Sequence, residues 1–158
     1  MGEVTNEQVN LMLRLFEERR EPKLREARDW FGANFHVKNA DDLMRVCPPG
    51  SKENTYMRMV LGYWEMVASI VNRGLIDEEF FFESNGEQWA VFEQVKPVLG
   101  AWRAMFSSPN FLANLEKHCN HLEAFREKRS PGSNEAIRKM LAQMRQATES
   151  AKSQTAGA

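Results

Sequence analysis

The sequence predicts an all-α protein, an irregular bundle of about six to eight helices packed around one central apolar helix at residues 51–73. Three observations carry that expectation. Apolar residues recur at helical spacing along most of the chain, and no segment shows the strict alternation of a half-buried strand. The stretch "YMRMVLGYWEMVASIV" is apolar around so much of its circumference that neighbours must cover it on two or three sides. Prolines stand near several helix starts and inside one helix, which argues against a long coiled coil.

The elements follow in order. Thr5 caps a first helix, with Gln8 three residues later completing a capping box. Val9, Met12, Leu13 and Phe16 form its apolar stripe. Pro22 then kinks this helix or starts a new one, because proline lacks an N–H and clashes with the preceding turn. Leu24, Ala27, Phe31 and Phe35 carry the stripe onward to an end near Gly32–Phe35. Asn39 caps "ADDLMRVC", whose early acids suit a helix N-terminus. The central helix opens near Ser51 and runs to Asn72, with Gly74 as a left-handed stop. Asp77 caps the short "EEFFFES". The following helix contains Pro97 and is expected to kink there. Ser108-Pro109 is expected to open another helix that extends to about Lys128. "RSPGSN" reads as a linker, and a last amphipathic helix runs from Ser133 to about Thr148. The domain reading is therefore a bundle at 1–128, a linker and amphipathic helix at 129–148, and a disordered tail at 149–158.

At 158 residues the chain suits one domain with a buried core. A formal net charge of −1 gives no field that would draw nucleic acid. No apolar run reaches the length of a membrane span. The opening "MGEVTNEQVN" is polar, unlike a signal peptide, and a cytoplasmic location is the expectation. Cys47 and Cys119 do not form a disulfide framework. Nine methionines and ten phenylalanines suggest a core of adaptable and aromatic side chains.

Glu65 is the chemical question the sequence poses. It lies in the most apolar helix, and Leu61, Gly62, Ala68 and Ser69 at the helical neighbour positions offer it no cation. A covered carboxylate needs a partner from another element. Arg103, in the otherwise apolar "GAWRAMF", is the first candidate and Arg28 the second. The stripe containing Glu65 is read three ways: solvated, tied up in a structural ion pair, or part of a ligand or catalytic site. The structural pair is preferred over the other two. In the ligand reading, Tyr63, Trp64 and Trp102 line a pocket around Glu65 and Arg103.

An aromatic-Glu pair on an apolar helix, then "NRGLIDEEFF", then a Trp and a proline within the next helix, resembles a bacterial family of small all-helical domains of unknown function. The similar part spans about Tyr56 to Arg103. The resemblance implies an all-helical fold and no particular activity. Members of that family often carry an N-terminal membrane helix, which this chain does not show. Glu65, Gly74, Ile76 and Asp77 match, and the roles implied for them are ion pair, helix stop, packing plug and helix cap.

Residues 77–93 interleave acids with Phe80, Phe81, Phe82, Trp89 and Phe92, without a lysine or arginine. Three consecutive helical residues fan across about 200°, so the three phenylalanines cannot share one core face. They are expected to be buried on two sides, to meet a partner, or to leave one ring exposed to water. "LEKHCNHLEAF" places His118 and His121 three apart. Neither has a carboxylate at helical spacing, so no metal is assigned. Both histidines are expected at the surface or its boundary, and Cys119 in the core.

No phosphate loop, His-Glu-x-x-His motif, Cys-x-x-Cys pair or nucleophile elbow is present. The expectation is a non-enzymatic protein–protein interaction module with no cofactor and no catalytic residues. Its partner is another protein or a second copy of itself as a homodimer. The candidate interface residues are Phe80, Phe81, Phe82, Trp89, Met140 and Met144. The alternative is a small-ligand or sensor domain built on the Glu65–Arg103 pocket.

Overall fold

Local capping chemistry sets five of the eight helix starts in the computed structural model, which describes residues 2–157. The described residues form eight helices and no strand: α1 Asn6–Arg19, α2 Pro22–Asn34, α3 Ala40–Val46, α4 Lys52–Asn72, α5 Glu78–Phe82, α6 Glu87–Met105, α7 Ala113–Arg129 and α8 Ser133–Ala156. Thr5, Asn39, Ser51 and Asp77 each accept a hydrogen bond from the backbone N–H three residues on, as expected. Gln8 does not complete a capping box. Its side-chain oxygen instead accepts the N–H of Asp77 at 3.0 Å, tying α1 to the start of α5.

Pro22 breaks the first helical stretch instead of bending it. Glu21 turns out of helical geometry and its carboxylate accepts the Leu24 N–H at 2.8 Å, so α2 begins with its own cap and with proline at its first position. Pro97 acts differently. It lies on the exposed side of α6, and the helix is continuous through it. Gly74 adopts φ +74° and ends α4, the left-handed stop the sequence suggested.

The residues up to Leu122 form one compact unit and those from Glu123 a second. In the first unit α4 is the hub. Tyr56, Met57, Val60, Leu61, Trp64, Val67, Ala68 and Val71 are all buried along it. Its most extensive partner is α2, and it also meets α5. The Tyr63 hydroxyl donates to the Leu15 carbonyl of α1, and Asn72 donates to the Asn114 carbonyl of α7 at 3.0 Å. Polar side chains also close helix ends across the bundle. Gln94 of α6 donates to the Phe35 carbonyl at the end of α2 at 2.9 Å and to the Phe31 carbonyl, which also accepts the Phe35 N–H.

The start of α7 departs from expectation. Ser108-Pro109 lies in a turn, and α7 begins at Ala113. Ser107 and Leu112 hold φ +49° and +57°, the left-handed region that costs non-glycine residues about 1–2 kcal/mol each. The turn closes with Leu112 buried and the Phe111 ring against Trp102, centroids 4.8 Å apart.

The second unit comprises the end of α7 and α8, joined through Gly132 at φ +84°. Asn134 donates to the Glu123 carbonyl at 2.9 Å, and Arg138 pairs with the Glu123 carboxylate at 2.7 Å. α8 runs to Ala156, through the segment read from sequence as a disordered tail. Alanines at 147, 151 and 156 favour the helix. The hydroxyls of Thr148, Ser153 and Thr155 bond back to carbonyls three or four residues earlier.

Candidate functional site

Glu65 is half-buried on α4 and faces the start of α7. One carboxylate oxygen accepts the Asn114 backbone N–H at 3.1 Å and the Asn114 side-chain amide at 3.0 Å. The other accepts the Leu115 N–H at 2.8 Å. These backbone groups belong to the first turn of α7, where N–H groups have no partner within the helix. Glu65 is thus the N-cap of α7, supplied by another helix, and its negative charge sits where the helix dipole favours it. Leu112, in the position a local cap would take, has no side-chain acceptor to offer.

The expected Glu65–Arg103 ion pair is not formed. Arg103 donates through Nε to the Phe111 carbonyl at 2.9 Å and pairs with Glu116 at 2.7 Å. It holds the turn before α7 from the α6 side, while Glu65 holds the helix start from the α4 side. Arg28, the second candidate, makes a two-point contact with Glu87 at 2.6 Å, and Arg19 joins the same carboxylate at 3.6 Å. Four positions matched the sequence resemblance. Gly74 stops a helix, Ile76 is fully buried and Asp77 caps α5, but Glu65 is a helix cap and not an ion-pair member.

The aromatic residues proposed to line a pocket beside Glu65 do not form one. Trp64 is 1% exposed and Trp102 8%, both filling core. Tyr63 points to α1, on a different flank of α4. Burial pushes its hydroxyl pKa up to about 12, so it stays a neutral donor to Leu15.

Among the interface candidates, Phe81, Phe82 and Trp89 are buried core residues. Phe80 is half-buried at the edge of α5, which resolves the three-phenylalanine fan within the unit. Met140 and Met144 on α8 are 50% and 58% exposed.

His118 lies in the core and not at the boundary. It is fully buried, 5.6 Å from the Phe81 ring and 5.0 Å from Phe82, and its Nε2 stands 3.3 Å from the Gln88 amide nitrogen. Burial, with a smaller contribution from His121, lowers its pKa to about 4 and keeps the ring neutral. The spacing Leu115–His118–Cys119–Leu122 is the signal that would have found it, since it puts His118 on the buried face of α7. His121, one turn on, is exposed and contacts Glu78 at 2.8 Å. Cys47 and Cys119 are buried free thiols, and burial raises the Cys47 pKa to about 11. Among the described residues no three His, Cys, Asp or Glu side chains gather where they could hold a metal ion. No described helix is long and apolar enough to cross a membrane.

Sequence reasoning missed an open groove in the first unit. A groove of about 490 Å³ runs between α1, the start of α2 and α4. Leu11, Leu15, Leu24, Met59, Tyr63 and Met66 form its apolar surface, with Arg14, Glu18 and Glu21 also lining it. Met66 is 46% exposed. Its position next to Glu65, on the far edge of an apolar helix, was the only trace in the sequence.

No curated protein and no solved structure matches the chain. One family model does, over residues 4–122, and that family is described as a domain of unknown function, DUF4760.

Proposed function

Starting from the chain's membership of the DUF4760 family, we propose that it is a non-enzymatic protein-interaction module that takes an amphipathic helix in the groove between α1 and α4. The observation that carries this reading is the groove itself, apolar along its floor and acidic at Glu18 and Glu21, with Met59 and Met66 offering adaptable contact. That chemistry fits a helix with apolar residues at i, i+3, i+4 and i+7 and a basic edge. The absence of a catalytic role is part of the proposal. It is supported by the engagement of both Glu65 oxygens in capping and by the burial of His118 against Gln88. The small-ligand alternative centred on Glu65 and Arg103 draws no support from that flank, where helix ends take up both side chains. A cytoplasmic setting suits two buried free thiols.

The test is a titration of the full chain, labelled at its methionine methyls, with a synthetic amphipathic peptide carrying a Leu stripe and an Arg edge. The Met59 and Met66 methyl signals should shift, while that of Met57, 3% exposed in the core, should not. If Met59 and Met66 stay in place at saturating peptide, the docking reading is wrong.

A further inference from the structure

Away from the groove, both histidines of α7 face α5. The His118 ring is fully buried, 5.6 and 5.0 Å from the Phe81 and Phe82 rings, and the exposed His121 contacts the Glu78 carboxylate at 2.8 Å. α5 has five residues, too few to hold a helix without such contacts. Its start is tied to α1 through the Gln8 side chain, and the turn after it is tied through Gln88. The Gln88 amide nitrogen donates to the Asn85 carbonyl at 3.1 Å and stands 3.3 Å from His118 Nε2. The opposite amide orientation would set two oxygens against each other at Asn85, so Nε2 must accept and the proton of neutral His118 is on Nδ1. Gln88 is also fully buried, and its Oε1 has no hydrogen-bond partner among the described residues.

A second proton on His118 would land on Nε2, against the Gln88 amide hydrogens, and no carboxylate is there to balance it. On α5 the ring meets Phe81 and Phe82, while Glu78 is engaged by His121. On α6 it meets Gln88, while the neighbouring Glu87 is held by Arg19 and Arg28. On α7 itself the nearest titratable group is His121, a base, and Glu65 of α4 is spent on Asn114 and Leu115. Burial therefore lowers the His118 pKa to about 4. The Gln88 amide can meet a charged ring by turning its unpartnered Oε1 onto Nε2–H, and it then abandons the Asn85 carbonyl. We propose that Gln88 and His118 form an acid-operated latch: protonation of His118 turns the Gln88 amide, unties Asn85 and lets α5 lift Phe81 and Phe82 from α7 while α4 stays folded.

Once lifted, His118 titrates as an ordinary histidine near pH 6.5 and takes up its proton before the closed form does, so acid favours lifting. Between pH 7 and pH 5 the lifted population rises about twentyfold through His118 alone. The exposed His121–Glu78 pair opposes this by up to about fivefold, because a protonated His121 holds Glu78 more firmly. Residue-resolved amide hydrogen exchange of the full chain at the two pH values, corrected for intrinsic rates, tests the latch. The Phe81 and Glu83 amides, bonded to the Asp77 and Glu79 carbonyls, should open at least about fourfold more at pH 5. His121→Ala should bring the rise to about twentyfold and His118→Gln should abolish it. Gln88→Glu supplies the absent counter-charge, so it should raise the His118 titration and also remove the rise. The Val60 and Val67 amides of α4 should stay slower than those of α5 throughout. Imidazole nitrogen shifts of wild type at pH 7 should report the proton on Nδ1. Three wild-type results would overturn the proposal: α5 amides no faster than α4 amides at pH 5, α5 opening that does not change with pH, or a His118 proton on Nε2.

Discussion

Glu65 and Met66 are neighbours in sequence and stand on flanks of α4 that have opposite fates. On the Glu65 flank the polar groups are consumed by α7. Two carboxylate oxygens meet two backbone N–H groups and a side-chain amide, and Asn72 reaches the Asn114 carbonyl. On the Met66 flank, α1 touches α4 through the Tyr63 hydroxyl and leaves a groove beside that contact. The flank that looked chemically active in the sequence serves the scaffold. The flank that the sequence reading did not single out borders the groove. A lone acid on an apolar helix is explained as readily by an orphan helix terminus as by a cation, since both satisfy a carboxylate.

Breaking the α7 flank should cost most. His118 has a pKa of about 4 in the fold against 6.5 for an unperturbed histidine, so the unfolded chain takes up the proton first. Its contribution is complete above about pH 6.5 and is lost as pH falls toward 4, by on the order of 3 kcal/mol. Chemical denaturation at pH 7 and pH 4 should show this loss, and His118→Gln should flatten that part of the pH dependence. An unchanged slope in the variant would mean that the ring is not buried neutral.

Glu65→Ala removes a charged, two-point cap and should destabilise the first unit by about 2 kcal/mol in urea unfolding. A change below about 0.5 kcal/mol, the size expected of an ordinary surface substitution, would show that α7 does not depend on the carboxylate. Gly74→Ala puts a side chain at φ +74° with open space around it, so only the backbone resists, at about 1 kcal/mol. A neutral result in a thermal melt would argue that α4 ends elsewhere. Met66→Gln on the open flank should change stability by less than about 0.5 kcal/mol. A larger loss would mean that the groove is closed in solution.

What the sequence made legible was local. Thr5, Asn39, Ser51 and Asp77 act on N–H groups three residues away, and Gly74 stops a helix through its own backbone. Each is therefore visible in a window of four residues. The α4 hub was legible for the same kind of reason, since eight buried side chains lie within one helix. What stayed hidden depends on contacts between residues far apart. The Glu65 partners lie 49 and 50 residues away, and nothing near Asn114 advertises a missing cap. Arg103 was assigned to the wrong acid because both Glu65 and Glu116 approach the same turn. The start of α7 was misplaced because Ser108-Pro109 has the composition of a helix start, whereas the chain turns through left-handed Leu112 first. The groove is a space between helices, and spaces leave no periodic trace.

The most direct test is amide hydrogen exchange at Asn114 and Leu115, read residue by residue in wild type, Glu65→Ala and Met66→Ala. The account predicts slow exchange at both amides in wild type, fast exchange in Glu65→Ala and wild-type protection in Met66→Ala. Wild-type amides at 114 and 115 that exchange as fast as an exposed turn, or that keep their protection without Glu65, would contradict it.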